Sequence, residues 1–294
     1  MAPFQSILTH PGGAHKDEVL ACSVLLALHP VTVVRREPTA ADLADPSICV
    51  VDVGHVHDPA MNNFDHHQLP KDQPPTCALS LVLQHLGLYK QAREFCEWLE
   101  PAEWFDCRGP FATAAWLGVE RDVLNKLNSP VDVTLLKRFA ASERLQPGEP
   151  LWQVLRMIGE DILEYVKGLS DRLDLLARHA EFWDLAAAGK PPMQVLFLPR
   201  MEPLLDDPSM GMDRFVERLG KVGVVAGLVY PDRRSNGYGL SRFRDDERLD
   251  FTRVASQPDV HFAHARGFVA KTTATETSRL KQLLEIASDA STTP

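Results

Sequence analysis

Residues 6–17 read Ser6-Ile7-Leu8-Thr9-His10-Pro11-Gly12-Gly13-Ala14-His15-Lys16-Asp17. A short apolar run ends in a histidine, two glycines permit a tight turn, and a helical pattern starts at once. Val19, Leu20, Leu25, Leu26 and Leu28 then recur at helical spacing over 15–29. Val31-Thr32-Val33-Val34 is β-branched and predicts a second strand. The continuous apolar run over 48–53 predicts a strand buried on both faces. This βαβαβ order predicts an α/β fold with a mainly parallel sheet and ligands at the carboxyl ends of its strands. His10 follows the first strand and Asp52 falls at the end of the 48–53 strand, so both belong to that edge.

Working outward, residues 76–145 read as helices broken at Gly109-Pro110 and Ser129-Pro130. After a turn at 147–150, Leu151, Leu155, Ile158, Ile162, Val166, Leu169, Leu173 and Leu176 repeat every three or four residues. They predict a long amphipathic helix of about 35 residues ending near Gly189. Strands are expected near 193–198, 222–230, 237–244 and 260–270, followed by a terminal helix near 275–288 and a frayed tail at 291–294. The expected organisation is a metal-binding catalytic domain over 1–148, a connecting helix over 149–189 and a smaller α/β substrate-binding domain over 190–294.

The chain has 294 residues, 45% of them hydrophobic, and a net charge of −9. That charge argues against a broadly basic nucleic-acid wrapper while leaving room for a local basic groove. Five cysteines (Cys22, Cys49, Cys77, Cys96 and Cys107) with no CxxC spacing read as reduced core thiols. No signal peptide or apolar span is read, so the expectation is a cytoplasmic protein without a membrane partner.

Eight of the eleven histidines lie before residue 86. His10, His15, Asp17, Asp52, Asp65, His66 and His67 offer imidazole and carboxylate at predicted strand ends. Two-metal phosphate ester cleavage needs such a set, with two divalent cations about 3.5–4 Å apart and open positions for phosphate oxygens. The mixed nitrogen and oxygen donors suit Mn²⁺ best, with Mg²⁺ or Co²⁺ as alternatives, whereas thiolates would have indicated zinc. The helix opening beside Asp17 also presents free N–H groups to an anion. Against this, Asp17 reads equally as a helix N-terminal charge. His29, His85 and His179 read as structural, and His55 and His57 read as loop residues or competing ligands. A carboxylate ending a buried strand, as at Asp52, is costly without a partner.

His10-x4-His15-x-Asp17, Val50-Val51-Asp52-Val53-Gly54 and Asp65-His66-His67-Gln68 resemble the first three motifs of the DHH phosphoesterase superfamily. The likeness is closest to its Myg (melanocyte proliferating gene) branch of metal-dependent exonucleases. It continues over 78–87 and Glu103-Trp104-Phe105-Asp106, and returns at Phe262-Ala263-His264-Ala265-Arg266-Gly267-Phe268. The resemblance implies that His10, His15, Asp17, Asp52, His66 and Asp106 hold two cations, with Asp52 between them. It implies that His67 contacts phosphate and that Asp65 orients the site, which makes Asp52, Asp65, His66 and His67 the catalytic set. Two stretches depart from the branch. Where the branch shows Asp-x-x-Asp-Asn-Gly this chain has Glu103-Trp104-Phe105-Asp106-Cys107-Arg108-Gly109, and its Gly-Phe-Ile-Gly-Gly is here Gly267-Phe268-Val269-Ala270-Lys271.

Arg233, Arg234, Arg242, Arg244, His264, Arg266 and Lys271 form a local basic set in an acidic chain. Tyr238, Arg242 and Arg244 would share one face if 237–244 were a strand. Gly267 would permit close approach of a ligand. The residues expected to hold substrate are His67, Arg242, His264, Arg266 and Lys271. The expected activity is that of a two-metal phosphodiesterase, an exonuclease on short single-stranded RNA or DNA with RNA favoured. A homodimer is compatible with this reading. The alternatives are a phosphohydrolase of a small substrate such as pyrophosphate or a cyclic dinucleotide, and a non-catalytic metal-dependent nucleotide-binding module.

Overall fold

The computed structural model describes residues 3–185 and 193–288. The first part of the chain builds strands β1 (Ser6–Thr9), β2 (Thr32–Arg35), β3 (Ile48–Val51), β4 (His57–Asp58), β5 (Asn63–Phe64) and β6 (Arg144–Leu145). Helices α1 (Lys16–Leu28), α2 (Ala40–Leu43), α3 (Ala78–His85), α4 (Tyr89–Phe95), α5 (Leu99–Leu117), α6 (Arg121–Lys126), α7 (Pro130–Ala140) and α8 (Pro150–His179) accompany them. The sheet order is β4-β5-β3-β1-β2-β6. β1 runs parallel to β2 and β3, and β3 parallel to β5, while β4 and β6 are antiparallel edges.

The apolar strands are covered on both faces, as their continuous hydrophobicity requires. Ile7, Cys49, Val51 and Phe64 join the core under α1 and α3, and Leu8, Val50 and Val53 pack on the other side with Leu43. α1 is therefore buried over most of its length, Asp17 and Glu18 included. α8 crosses it closely: a Cβ on Gly159 would stand 1.9 Å from the carbonyl oxygen of Ser23. The predicted helix breaks occur. Gly109 takes φ 76° inside α5, and Ser129 caps α7 with Pro130 in its first turn.

The chain divides into two compact units, Met1–Gly168 and Leu169–Pro294. In the second, β7 (Glu181–Leu185), β8 (Met193–Phe197), β9 (Val225–Pro231), β10 (Tyr238–Arg242), β11 (Val260–Ala263) and β12 (Val269–Thr272) form a sheet of order β11-β12-β10-β9-β8-β7. Its helices are α9 (Met212–Arg218) and α10 (Thr277–Ser288). Leu280, Leu283 and Leu284 of α10 share a core with Trp183, Val195, Val229 and Leu240.

Three expectations change. The long helix stops at His179 rather than near Gly189, which lies outside the described residues. Residues 181–185 form β7 instead, because Trp183 and Leu185 alternate inward and the strand pairs antiparallel with β8. Strand β3 ends at Val51, since Asp52 and Gly54 both take positive φ. The expected strand over 260–270 is a hairpin, β11 and β12, with His264 and Arg266 in the connection. Among the described residues no helix is long and apolar enough to cross a membrane, and all five cysteines are free.

Candidate metal centre

Strand register creates the site. Val51 of β3 pairs with Thr9 of β1 and with Phe64 of β5. The next residues, His10, Asp52 and Asp65, therefore leave the sheet side by side. β4 and β5 were not legible as strands in the sequence, and it is β5 that delivers Asp65-His66-His67 to the same edge as His10. Asp52 adopts φ 58°, a left-handed conformation that costs an ordinary side chain on the order of 1 kcal/mol. The turn places its carboxylate in the cluster at 1% exposure.

The loop after β1 is braced from beneath. Arg35, at the end of β2 and 5% exposed, donates to the carbonyl oxygens of Gly12 (3.3 Å), Gly13 (3.0 Å) and Phe139 (3.1 Å). It also reaches Glu18 Oε1 at 3.2 Å. Glu18 is buried, accepts from the Thr9 hydroxyl at 3.0 Å and lies 2.9 Å from His10 Nε2. Neither Arg35 nor Glu18 was singled out in the sequence. The available signal was an acid three residues after the helix cap at His15, whose backbone N–H donates to Glu18 Oε2 at 3.3 Å.

Three groups of donors overlap at Asp52, one of them Asp52, Asp65, His66 and His67. Donor atoms of His10, His15 and Asp52 lie within 4.8 Å of one another, as do those of Asp17, Asp52, His66 and Asp106. His66 Nε2 stands 3.1 Å from Asp52 and 2.8 Å from Asp106, and His10 Nε2 stands 3.5 Å from Asp52. His15, more than half exposed, reaches Asp106 at 3.6 Å. Yet both Asp52 oxygens, Asp17 Oδ1, His66 Nε2 and Asp106 Oδ2 are buried without an aligned hydrogen-bond partner. Close but misaligned donors and acceptors facing one another are what residues around a shared cation require, and an apolar core would not tolerate them. The donor set therefore fits divalent cations.

The charges point the same way. The Asp52 and Glu18 carboxylates push His10 up to about 11. Burial opposes protonation of His66, but Asp106 and Asp52 raise it to about 12. Burial, with Asp52 and Asp106 alongside, holds the Asp17 carboxyl well above its ordinary range. Asp52 is held low by His10 and His66 against its burial. Protons thus occupy positions that cations would take.

Asp65 has a different task. Its Oδ2 accepts from the His55 N–H at 2.7 Å, and its Oδ1 accepts from the His67 N–H at 2.9 Å and meets His67 Nδ1 at 2.7 Å. Burial would raise this carboxyl, but the hydrogen bonds from His67 and His55 bring it to about 2. With both oxygens committed, Asp65 orients His67 and leaves the other ring nitrogen of His67 free to meet an anion.

Asp106 arrives from α5, whose placement rests on Glu103. That buried carboxylate accepts from Ser80 (2.6 Å) and Tyr89 (2.7 Å) and pairs with Arg93 (3.4 Å), joining α3, α4 and α5. The glutamate at the departing motif position is structural. Cys107 Sγ lies 3.8 Å from His66 Nδ1 and donates to the Thr76 carbonyl at 3.4 Å. It approaches the ring nitrogen opposite the one facing Asp52, and donor atoms of His66, Asp106 and Cys107 also lie within 4.8 Å of one another. His55 meets Asp65 through its backbone, and His57 packs on Phe64.

Arg242, His264, Arg266 and Lys271 all belong to the second unit. Arg242 donates through Nε to the Leu249 carbonyl at 2.6 Å, and Lys271 pairs with buried Asp232 at 2.7 Å. Arg266 is exposed; its N–H donates to His264 Nδ1 at 3.1 Å, and the His264 ring packs on Phe268. Ser241, Arg242, Asp245, Arg266 and Phe268 line a cavity of about 390 Å³. The expected shared face of Tyr238, Arg242 and Arg244 does not form. Tyr238 is buried, the strand ends at Arg242, and Arg244 turns at φ 48° toward Glu217. At Gly267 a Cβ would strike the Asp250 side chain at 2.2 Å, so on that side the glycine makes room for a carboxylate.

Residues 6–82 match the family model MYG1_exonuc, described as an uncharacterised protein family (UPF0160). This stretch of the chain carries that family's signature. It agrees with the Myg resemblance read from the motifs, and it spans β1 to α3 with every proposed ligand except Asp106. No curated protein matches the chain. Among solved structures, a pGpG-specific phosphodiesterase, PggH from Vibrio cholerae, is 12% identical with a TM-score of 0.33, over 96% of this chain and 98% of that one. The DHH domain of a protein assigned to a family of ribosomal proteins is also 12% identical, with a TM-score of 0.31, over 96% of this chain and 85% of that one. Both likenesses are too distant to assign an activity.

Proposed function

We propose that the chain is a metal-dependent phosphodiesterase that removes nucleotides from an end of short single-stranded nucleic acid, RNA in preference to DNA. The observation that carries this reading is Asp52: a buried carboxylate on a strained turn, shared by overlapping sets of nitrogen and oxygen donors whose facing atoms lack aligned partners. His10, His15, Asp17, Asp52, His66 and Asp106 would hold two divalent cations. Bound there, these would supply Lewis acidity and a water acidic enough to attack at neutral pH. Arg35 and Glu18 fix the loop that presents His10 and His15. Asp65 holds His67 with its second ring nitrogen free, a donor suited to a phosphate oxygen. In the second unit, exposed Arg266 offers a bidentate grip on a further phosphate.

The test is incubation with end-labelled RNA and DNA oligomers and Mn²⁺, read as a ladder over time, with pyrophosphate in parallel. Stepwise shortening of RNA supports the reading. Pyrophosphate turnover without any ladder assigns the centre to a small substrate, and binding without turnover of either makes it a regulatory site.

A further inference from the structure

A second feature adjoins the metal centre and shares His66, His67 and Asp106 with it. The loop between β5 and α3 folds over a cavity of about 200 Å³ that begins at His66, His67 and Asp106 and continues between Lys71 and Arg108. Pro70, Pro74 and Pro75 line it, and three prolines with fixed φ leave that loop few conformations to lose on binding. The Leu69 N–H donates to the His66 carbonyl at 2.9 Å and the Gln73 N–H to the Pro70 carbonyl at 3.1 Å, closing two turns. Arg108 secures the loop from α5 by donating through one terminal nitrogen to the Gln73 carbonyl at 2.8 Å.

That bond uses one of the five N–H donors of the guanidinium. Neither Arg108 nor Lys71 has a carboxylate partner among the described residues, whereas Arg36, Arg93, Arg214, Arg244, Arg248 and Arg279 each pair with one. The Asp106 carboxylate on the cavity wall is turned to His15 and His66. Two unpaired cations therefore face a preformed cavity one short step from the place where a phosphate diester would be cleaved.

We propose that this cavity is a subsite for a second phosphate, and that the substrates are short oligonucleotides carrying a terminal phosphate. The guanidinium fork takes two phosphate oxygens and Lys71 adds a point charge. The inference rests on the proposed phosphodiesterase reading for its scissile bond, but the subsite binds whether or not cleavage follows.

The experiment uses the full chain with Mn²⁺ and one dinucleotide prepared with a terminal phosphate, at either end in turn, and with hydroxyl ends only. Equilibrium binding and steady-state hydrolysis are measured for the wild type, Arg108→Gln and Lys71→Ala. Arg108→Gln keeps a donor for the Gln73 carbonyl and removes the charge, so it separates bracing from phosphate binding. The wild type should favour one phosphate-ended dinucleotide roughly tenfold or more, mostly through KM, as expected for charge-assisted hydrogen bonds. Arg108→Gln should lose most of that ratio and Lys71→Ala part of it. Hydrolysis with no preference for a terminal phosphate overturns the subsite and leaves the phosphodiesterase standing. Phosphate-dependent binding that needs Arg108, without hydrolysis, supports the subsite and overturns the phosphodiesterase. A preference that persists unchanged in both variants overturns the assignment to this cavity.

Discussion

At the scale of single residues, Asp52 concentrates the chemistry. Asparagine tolerates a left-handed backbone better than most residues, so Asp52→Asn keeps φ 58° and the side-chain shape while removing the charge. The variant should fold normally by circular dichroism and lose about 10²–10³ in hydrolysis rate; near-full activity would remove Asp52 from the centre. Arg35 acts at one remove. Arg35→Met leaves the Gly12 and Gly13 carbonyls and the buried Glu18 without their cation. Leaving one charge of a buried pair uncompensated costs about 3–5 kcal/mol. Thermal unfolding should show a large drop in Tm, and Mn²⁺ affinity should fall with it because His10 and His15 ride on that loop. Unchanged metal affinity would make Arg35 purely structural.

At the scale of elements, α1 and α8 make the tightest crossing in the first unit. Gly159→Ala would drive a methyl group into the Ser23 backbone, which cannot rotate away as a side chain can. Overpacking of this kind costs about 1–3 kcal/mol, to be read as a lower urea midpoint at unchanged slope. If the midpoint holds, the two helices part more easily than their packing suggests. The periodicity of α8 was plain in the sequence, but its end was not. Glu181 to Leu185 reads as more helix until Trp183 and Leu185 find the neighbouring strand β8. Strands β4 and β5, two residues each, carry no periodic signal at all, yet they bring the third motif to the site.

At the scale of the whole molecule, cation binding should be coupled to protons. His10 and His66 are raised to about 11 and about 12, so without cations both are protonated at neutral pH. An imidazole binds a metal only in its neutral form. Mn²⁺ binding should therefore release protons and tighten as pH rises from 6 to 8, measurable by calorimetry in buffers of different ionisation enthalpy. Proton-neutral binding would exclude these histidines as ligands. Saturated protein should hold close to two cations per chain. At 100 times the dissociation constant each site should stabilise the fold by about 2.7 kcal/mol. The second unit has its own test. Arg266→Ala should raise KM for an oligonucleotide more than for a small chromogenic phosphodiester, since only the longer substrate carries a further phosphate for a guanidinium to hold. Equal losses on the two would place Arg266 in the chemical step.

The sequence by itself determined the parallel core and the ligand types, because buried strands must be apolar and a cation site must bring nitrogen and oxygen to their ends. His10, His15, Asp17, Asp52, His66 and Asp106 were nameable as a set only through their likeness to the motifs of a known superfamily. The tertiary structure alone decided what holds them. Arg35 and Glu18 lie 17 residues apart, and Glu103 meets Ser80 across 23 residues. Such pairings are set by register and helix packing and leave no local pattern. The basic segment of the second unit meets the same limit. Charge is visible in a sequence, but its neutralisation by Glu217, Asp232 or a backbone carbonyl appears only when the chain has folded.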